Sequence, residues 1–186
     1  MTSENQVTLT IDGKKVTVPQ GTRLIEAARH NGSEVPHFCY HKRLSVPANC
    51  RMCMVEIKGM PKPMPSCYVI AQQDMEVFTQ SELAQNAQKG VMELLLINHP
   101  LDCPICDQGG MCDLQDMAVA YGSDRSRYIE AKRAVPDKNL GPLIRTVMTR
   151  CIHCTLCIRF AKEVAGVPEM GATGRGEDME VGPYVE

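Results

Sequence analysis

Three cysteines near the C-terminal end, in the sequence CIHCTLC, constrain how this chain folds more than any other feature. Cys151, Cys154 and Cys157 stand at consecutive intervals of three residues. This spacing lets three thiolates reach three corners of one [4Fe-4S] cube, and zinc sites seldom use it. The bacterial two-cluster pattern would add a cysteine and a proline at the next positions, but Ala161 and Lys162 stand there. The sequence therefore predicts a [4Fe-4S] site that lacks its fourth ligand.

Three explanations are open for the missing ligand. The sequence ends before the residue that supplies it, the site holds a three-iron cluster, or His153 replaces a cysteine. His153 is poorly placed for that role because it stands between two of the three ligands. We therefore expect the 186 residues to be an N-terminal fragment of a longer chain.

Four more cysteines stand toward the N-terminus with the spacing C-x10-C-x2-C-x13-C; they are Cys39, Cys50, Cys53 and Cys67. Plant-type [2Fe-2S] ferredoxins use C-x4-C-x2-C and a distant fourth cysteine, which is the same order with a shorter first gap. A zinc site usually pairs C-x2-C with a second close pair, whereas Cys39 and Cys67 are both isolated. The pattern favours a [2Fe-2S] cluster, with structural zinc as the alternative.

The last three cysteines follow a histidine in the stretch NHPLDCPICDQGGMC. His99, Cys103, Cys106 and Cys112 give four possible ligands, which fit a [4Fe-4S] cube but equally a zinc site with three cysteines and one histidine. A histidine at the end of an apolar helix is more often an ordinary surface residue than a ligand. However, no cysteine is left to complete this set, so His99 is the candidate fourth ligand. A neutral imidazole in place of a thiolate would make the cluster about one charge less negative and favour its reduced form.

Composition supports metal as a source of order. Aromatic residues make up only 4% of the chain and tryptophan is absent, and small domains with few large apolar side chains bury little stabilising surface. The N-terminus has neither the apolar run of a signal peptide nor the features of a transit peptide, and no stretch reaches the roughly 20 apolar residues of a membrane helix. We expect a soluble protein without direct membrane insertion, whose cysteines remain thiolates rather than disulfides in a reducing compartment.

Charge is unevenly spread although the net charge is only −2. Between positions 125 and 150 the basic residues are Arg125, Arg127, Lys132, Arg133, Lys138, Arg145 and Arg150, and the acidic ones are Glu130 and Asp137. This stretch is either a solvated linker or a source of positive charge that offsets an anionic, thiolate-bound cluster. Aromatic residues are not interleaved with the charges, since Tyr128 is the one aromatic residue of the stretch, so a nucleic-acid partner is not expected. Without a hydrolytic constellation or dinucleotide fingerprint, single-electron transfer is the chemistry that remains.

The N-terminal sequence predicts a small α+β domain. Apolar residues alternate at 7–11 and 15–18 around Asp12-Gly13, the pair most typical of a tight hairpin turn. A helix follows, which Thr22 can cap. Three more short strands are predicted at 55–57, 67–70 and 75–79.

A second helix is predicted from the capping box TQSE at 79–82 to Asn98. Its apolar face is Leu83, Ala87, Val91, Leu94 and Leu95. Because Pro100 cannot continue the helix, His99 should emerge at its C-terminal end beside the cysteine loop. The other predicted elements are helices at 113–120 and 160–165 and a strand at 143–147, with none after Gly166.

Four segments together resemble the N-terminal part of a known family. They are HFCYHKRLSVPANCRMCMVEI, NHPLDCPICDQGGMCDLQD, DRSRYIEAKRAVPDKNLGPLIRTVMTRCIHCTLCIRFA and GRGEDMEVG. These segments are similar to the large, 75-kDa-type iron–sulfur subunit of NADH:quinone oxidoreductase, respiratory complex I. The resemblance implies an α+β fold: a β-grasp [2Fe-2S] ferredoxin-like domain, a small helical His/Cys3 [4Fe-4S] domain and an incomplete [4Fe-4S] ferredoxin-like domain. We expect residues 1–80, 81–122 and 143–186 to form these domains, with a basic linker at 123–142.

The resemblance also implies a function. The chain would carry one [2Fe-2S] and one to two [4Fe-4S] clusters and relay single electrons from a flavin/NADH-binding subunit toward quinone. Its partners would be that subunit and the rest of the peripheral arm, on the cytoplasmic face of the bacterial inner membrane or, if processed, on the mitochondrial matrix side. In this family the third site takes its fourth ligand from a downstream Cys-Pro.

Two other functions remain open. The chain resembles, less specifically, the small diaphorase subunit of NAD-linked hydrogenases and the N-terminal region of iron-only hydrogenases. A zinc-stabilised interaction module without a redox role is the alternative from another class.

Overall fold

A hairpin opens the structure, which is a computed structural model that describes residues 6–184. Strand β1 (Gln6–Ile11) pairs antiparallel with β2 (Lys14–Pro19). The turn between them has positive φ at Asp12 (48°) and Gly13 (80°), the conformation that a two-residue hairpin turn of this hand requires. The predicted hairpin is therefore confirmed.

The hairpin belongs to a five-stranded sheet. Helix α1 (Leu24–His30) follows it, and the sheet is completed by β3 (Met54–Ile57), β4 (Met64–Pro65) and β5 (Glu76–Phe78). The strand order is β2-β1-β5-β3-β4, with β1 and β5 parallel and the other pairs antiparallel. A parallel central pair between two antiparallel edges, crossed by one helix, is the β-grasp arrangement. The α+β fold expected for this part of the chain is confirmed.

Two local predictions in this region are wrong. Thr22 does not cap α1, because its hydroxyl donates to the carbonyl of Pro19 (2.7 Å) and the helix starts after Arg23 without a side-chain cap. Residues 67–70 are not a strand, because the amides of Tyr68 and Val69 both donate to the carbonyl of Pro65 and form a turn. That turn carries Cys67 toward the other cysteines of its set.

The main core lies between the sheet and α1. It consists of Leu9, Ile11, Val16, Val18, Leu24, Ile25, Ala27, Ala28, Val35, Tyr40, Cys53, Val55, Ile57, Cys67, Ala71 and Val77. Two of the candidate ligands are thus part of the core itself. The loop between α1 and β3, which carries Cys39, Cys50 and Cys53, is anchored at both ends to this packed layer.

Asp12 joins three segments of the first domain. Its carboxylate accepts hydrogen bonds from the amide (2.8 Å) and hydroxyl (2.7 Å) of buried Thr79 and from the hydroxyl of Ser33 (3.1 Å). Asp12→Ala should lower the free energy of unfolding by about 1–3 kcal/mol, since it leaves buried donors unpaired. Asp12→Asn keeps an acceptor oxygen and tolerates the positive φ, so denaturant unfolding should show a smaller loss. Equal losses for the two variants would contradict this role.

Helix α2 (Glu82–Asn98) confirms the second predicted helix, although its start and buried face differ from the prediction. Ser81 caps it and accepts from the amide of Ala84 (3.2 Å), because Thr79 is engaged by Asp12. The most buried positions are Ala84, Gln88 and Met92, whereas Leu83 and Leu94 are 39% and 65% exposed. The helix is turned toward β3, where the Gln88 side chain donates to the carbonyl of Met54 (3.0 Å).

A second, much smaller core forms where α3 (Asp113–Tyr121) packs on α2. Its buried residues are Phe38, Met52, Met92 and Leu114. The predicted helix at 113–120 is confirmed, and Gly122 ends it. Phe38 and Met52 flank candidate ligands of the first set, so this core also connects the two halves of the chain.

Residues 123–142 contain no helix or strand, but they contact the rest of the protein. The Lys132 ammonium donates to the carbonyls of Leu96 and Ile97 (both 2.8 Å). These carbonyls are among the last of α2, which have no partner inside the helix, and a cation there also interacts favourably with the helix dipole. The stretch is therefore more than a solvated linker.

The C-terminal residues differ most from the sequence predictions. No strand forms at 143–147, because Thr146 instead exchanges hydrogen bonds with the backbone of Lys138. The predicted helix at 160–165 is a short helix α4 (Leu156–Phe160) followed by a π-helical turn. An unpredicted hairpin follows, formed by β6 (Met170–Thr173) and β7 (Glu180–Pro183). Between residues 6 and 184, no helix has the length and apolar character needed to cross a bilayer.

Candidate metal centres

The first cysteine set is gathered in one place in the β-grasp domain. Cys39, Cys53 and Cys67 are buried and Cys50 is half-buried. Hydrogen bonds with the thiols of Cys50 and Cys67 lower the pKa of Cys39, and hydrogen bonds with Cys39 and Cys53 raise the pKa of Cys67. The hydrogen bond with Cys67 lowers the pKa of Cys53 to about 7. Four sulfurs that lie within hydrogen-bonding reach of one another can form a ligand set for soft metal atoms.

Backbone amides also surround these sulfurs. The amide of Cys39 lies 3.4 Å from Sγ of Cys50, and the amides of Asn49 and Cys50 stabilise the Cys39 thiolate. Two residues of this loop, Ala48 and Arg51, adopt left-handed backbone conformations. Turns of this kind expose successive amides on one side and make anion-binding concavities, which iron–sulfur sites use. The loop is therefore shaped for anionic sulfur.

The second set surrounds a single cavity of about 140 Å³ between α2 and α3. All four predicted ligands line it: His99, Cys103, Cys106 and Cys112. His99 ends α2, Cys103 begins a short 3-10 turn (Cys103–Ile105), and Cys112 immediately precedes α3. Leu96, Leu114 and Ala118 supply apolar wall. The structure thus brings together in space the four residues that the spacing grouped in sequence.

His99 is suited to bind metal as a neutral imidazole. Burial, and then the positive charge of Lys132, lower its pKa below the ordinary value. A histidine ligand must be deprotonated at the coordinating nitrogen, so a lowered pKa keeps the ring competent at neutral and mildly acidic pH. At the rim of the cavity, Arg150 pairs with Asp102 (3.1 Å), which places a guanidinium beside the thiols.

Of the two glycines in the second cysteine loop, Gly109 is the one where an added methyl group would collide with the protein backbone. A Cβ there would lie 2.6 Å from the carbonyl oxygen of Cys103 and 3.1 Å from that of Cys106. Gly109→Ala should therefore push the two ligands apart and remove most of the iron held at this site, about four atoms per chain. Iron analysis and low-temperature electron paramagnetic resonance (EPR) would measure this loss.

Gly90→Ala provides the matched control. A Cβ at Gly90, inside α2, meets nothing within 4 Å, and alanine favours a helix interior by about 0.5–1 kcal/mol. This variant should keep all of its iron. Full iron content in Gly109→Ala would show that the loop tolerates the side chain.

The third set is as exposed as the second, but its cysteines do not line one common cavity. Cys151 and Cys154 are half-buried and Cys157 is exposed, and the three line different cavities. Burial raises the pKa of Cys151 and Cys157, while the amide of His153 lies 3.4 Å from Sγ of Cys151. His153 and Thr155 both have left-handed backbones. The motif therefore has the loop shape of a cluster site without the shared cavity that the second set lines.

The donor sets fit iron–sulfur clusters. In residues 6–184, no three His, Cys, Asp or Glu side chains converge as tightly as the ligands of one metal ion do. The type of donor and the cavity at the second set nevertheless match what a larger iron–sulfur cluster needs. All ten cysteines are free thiols, three of the first set are buried, and the second set lines an apolar-walled cavity although Cys103 itself is exposed. Soft sulfur donors are the ligands that iron–sulfur clusters require.

Some cations of the basic stretch lie beside candidate ligands, as charge compensation would require. Arg150 and Lys132 lie beside the second set, and Arg133 lies near His153 of the third. In contrast, Arg127 pairs with Glu93 (2.6 Å) on the exposed side of α2. Sequence reasoning missed Arg159, a buried arginine that contacts two of the cysteine loops; its only sequence signal is a cation in an apolar helix two residues after Cys157.

Three protein families match successive parts of the chain. Residues 4–82 match a 2Fe-2S iron–sulfur cluster binding domain. Residues 88–127 match the NADH-ubiquinone oxidoreductase-G iron–sulfur binding region. Residues 141–186 match the ferredoxin-like domain of NADH-quinone oxidoreductase subunit 3. Each match contains one of the three cysteine sets, which identifies the first two segments as iron–sulfur-binding.

A solved structure and several curated proteins are similar over almost the whole chain. The structure of NAD+-reducing [NiFe]-hydrogenase in the H2-reduced state superposes with a TM-score of 0.87 at 28% identity, covering 96% of this chain and 75% of that one. The NADH-ubiquinone oxidoreductase 75 kDa subunit of Reclinomonas americana is 56% identical over 180 residues. The NADH dehydrogenase [ubiquinone] iron-sulfur protein 1 of Solanum tuberosum is 55% identical over 183 residues, and an NADH-quinone oxidoreductase subunit of Rickettsia bellii is 54% identical over 180.

These curated matches cover 97–98% of this chain, which spans about a quarter of the length of the relatives. Identity above one half over nearly every residue, together with three family matches in the same order, leaves no competing assignment of family. The chain belongs to the family of the large, 75-kDa-type iron–sulfur subunits of NADH:quinone oxidoreductase and corresponds to their N-terminal region.

Proposed function

We propose that this chain is the iron–sulfur electron-relay part of an NADH:quinone oxidoreductase subunit. The observation that carries this proposal is the second set, where one histidine and three cysteines from three segments line one cavity in a region that matches an NADH-ubiquinone oxidoreductase iron–sulfur family. Iron–sulfur clusters supply reversible single-electron transfer when bound. The protein's part is to fix their positions, exclude water and set the surrounding charge.

The ligand assignment is part of the proposal. Cys39, Cys50, Cys53 and Cys67 hold one [2Fe-2S] cluster; His99, Cys103, Cys106 and Cys112 hold one [4Fe-4S] cluster; and Cys151, Cys154 and Cys157 supply three ligands of a second. Residues 1–80, 81–122 and 143–186 are the corresponding domains, joined by 123–142. Burial of the first set, the cavity of the second and the amide-lined loop of the third support these roles.

Within each site the chain's own groups have definable tasks. The amides of Asn49 and Cys50 stabilise negative charge on Cys39. Lys132 and Arg150 place positive charge beside the second set, which compensates anionic ligands. Leu96 and Leu114 form part of the apolar wall of the cavity. These are the means by which a protein tunes the reduction potential of a bound cluster.

The partners and location follow from the family. We propose that electrons arrive from a flavin/NADH-binding subunit and leave toward the quinone-reducing part of the complex. The chain would then lie peripherally, on the cytoplasmic face of a bacterial inner membrane or on the mitochondrial matrix side. Both locations are included because the similar proteins come from a bacterium and from mitochondria.

The NAD+-reducing hydrogenase favours a second candidate function, that of its electron-relay subunit. Its chain is matched over 75% of its length, against about a quarter for the curated relatives. However, its sequence identity is 28%, compared with 54–56% for the NADH:quinone oxidoreductase subunits. The higher identity makes the quinone-linked function the stronger proposal. The intact enzyme separates the two, because only the hydrogenase would reduce NAD+ with H2.

Iron and acid-labile sulfide analysis of anaerobically purified protein, with EPR after dithionite reduction, tests the proposal. We expect about six irons per chain when the first two sites are filled and about ten when the third is filled as well. A [2Fe-2S] signal and at least one [4Fe-4S] signal should accompany them. Colourless protein with zinc in place of iron would instead support the zinc-stabilised interaction module.

A further inference from the structure

Arg159 is a buried cation between two cysteine sets. Only 7% of its surface is exposed. Its guanidinium donates to the carbonyls of Ser45 (2.6 Å), Cys154 (3.4 Å) and Cys39 and to the hydroxyl of Thr155 (3.3 Å). One side chain therefore binds the backbone of a first-set ligand and of a third-set ligand at the same time.

Among the described residues, no carboxylate is in direct contact with Arg159, although the charge of nearby Glu163 acts on it. Arginine is almost never buried unless it is paired, yet in the part of the chain that the structure describes no carboxylate forms an ion pair with it. Carbonyl oxygens satisfy its donors but leave its positive charge in place. Metal-bound thiolates at Cys39 and Cys154 would supply negative charge on either side of it.

Other contacts hold the same two loops together. Glu163 accepts from the amide (2.8 Å) and the hydroxyl of Ser45, while Arg159 binds the carbonyl of that residue. Asn49, in the first loop, donates its side-chain amide to the carbonyl of His153 (2.9 Å). Three side chains, those of Asn49, Arg159 and Glu163, thus attach the loop at 39–49 to the segment around the third cysteine set. Of these three, Arg159 is buried.

We infer that Arg159 is a positioning residue that joins the first site to the third and raises the reduction potential of the cluster at the first. This inference rests on the proposed electron-relay function. Reduction adds one electron, and therefore one negative charge, to a cluster without making or breaking a bond. A nearby fixed cation stabilises the reduced form, most effectively where solvent is excluded. The hydrogen bonds of the forked guanidinium hold the two loops in position, and its positive charge raises the reduction potential of the cluster at the first site.

Three variants separate these effects in the full-length subunit within its complete enzyme. Arg159→Met removes the charge and the hydrogen bonds, Arg159→Lys keeps the charge but loses the fork, and Lys162→Met removes an exposed cation from the same helical segment. The midpoint potential of the [2Fe-2S] signal is measured by dithionite titration followed by EPR. Amide hydrogen exchange of residues 39–49 is measured by mass spectrometry.

We expect a more negative midpoint potential in Arg159→Met, a potential near wild type in Arg159→Lys, and no change in Lys162→Met. Exchange at 39–49 should rise roughly tenfold or more in both Arg159 variants, because the loop loses its buried attachment. Equal potentials in Arg159→Met and Lys162→Met would overturn the inference. If Arg159→Met does not fold, wild-type exchange in Arg159→Lys would overturn it instead. Absence of any cluster from the wild type would refute the proposed function, while the exchange comparison would still decide the role of Arg159.

Discussion

His99→Ala is expected to remove the second cluster while leaving the first in place. The imidazole lies at the end of α2 and lines the same cavity as Cys103, Cys106 and Cys112. Alanine leaves one corner of the site without a donor, and the remaining three thiolates cannot complete four-iron coordination. We expect a loss of about four irons per chain and of the matching [4Fe-4S] signal, with the [2Fe-2S] signal unchanged.

Two further substitutions make this test specific. His30→Ala removes an exposed histidine at the end of α1 and should leave every signal intact. His99→Cys restores a fourth donor but adds about one negative charge, so the cluster should reassemble with a lower reduction potential. An unchanged [4Fe-4S] signal in His99→Ala would exclude ligation by this histidine and leave it as a helix-end residue.

The sequence predicted the grouping of the cysteines well because ligand spacing is a local property. Cys103 and Cys106 lie in one short loop, and the end of α2 before Pro100 dictates where His99 emerges. The C-terminal ends of α2 and α3 were predicted for the same reason, since Pro100 and Gly122 act on their immediate neighbours. The hairpin at Asp12-Gly13 required only its own two residues to be recognised.

The failures arose where a distant partner decides the local structure. The cap of α2 moved from Thr79 to Ser81 because Asp12, far away in sequence, takes the Thr79 hydroxyl. The buried face of α2 turned toward Gln88 because β3 offers the carbonyl of Met54. Such contacts depend on the assembled fold, and no short window of sequence contains them.

Arg159 illustrates the same limit at the candidate sites. Its position in a short apolar helix gives no sign that its acceptors come from a loop more than a hundred residues earlier. The spacing of cysteines identifies which residues share a cluster, but it does not say which clusters are neighbours. The carbonyl contacts of Arg159 supply that information for the first and third sets.

Iron removal is expected to unfold the middle of the chain and leave the β-grasp domain folded. The first core contains sixteen buried residues between sheet and helix, whereas the core beneath the second set has four buried residues, with partly buried side chains packed around them. Loops of this kind rely on metal binding for folding free energy. After chelation, amide exchange at 99–121 should accelerate by roughly two orders of magnitude, equivalent to about 3 kcal/mol of local stability.

Strands β1, β2 and β5 provide the internal reference, because their core packs without help from the second or third set. Their exchange should change far less than that of 99–121 in the same sample. The loop at 39–53 should respond in between, since it loses its metal but stays anchored to the sheet through Cys53 and Val55. Uniform acceleration along the whole chain would show instead that all segments form one cooperative unit, in which the small core beside α2 and α3 draws its stability from the sheet rather than from iron.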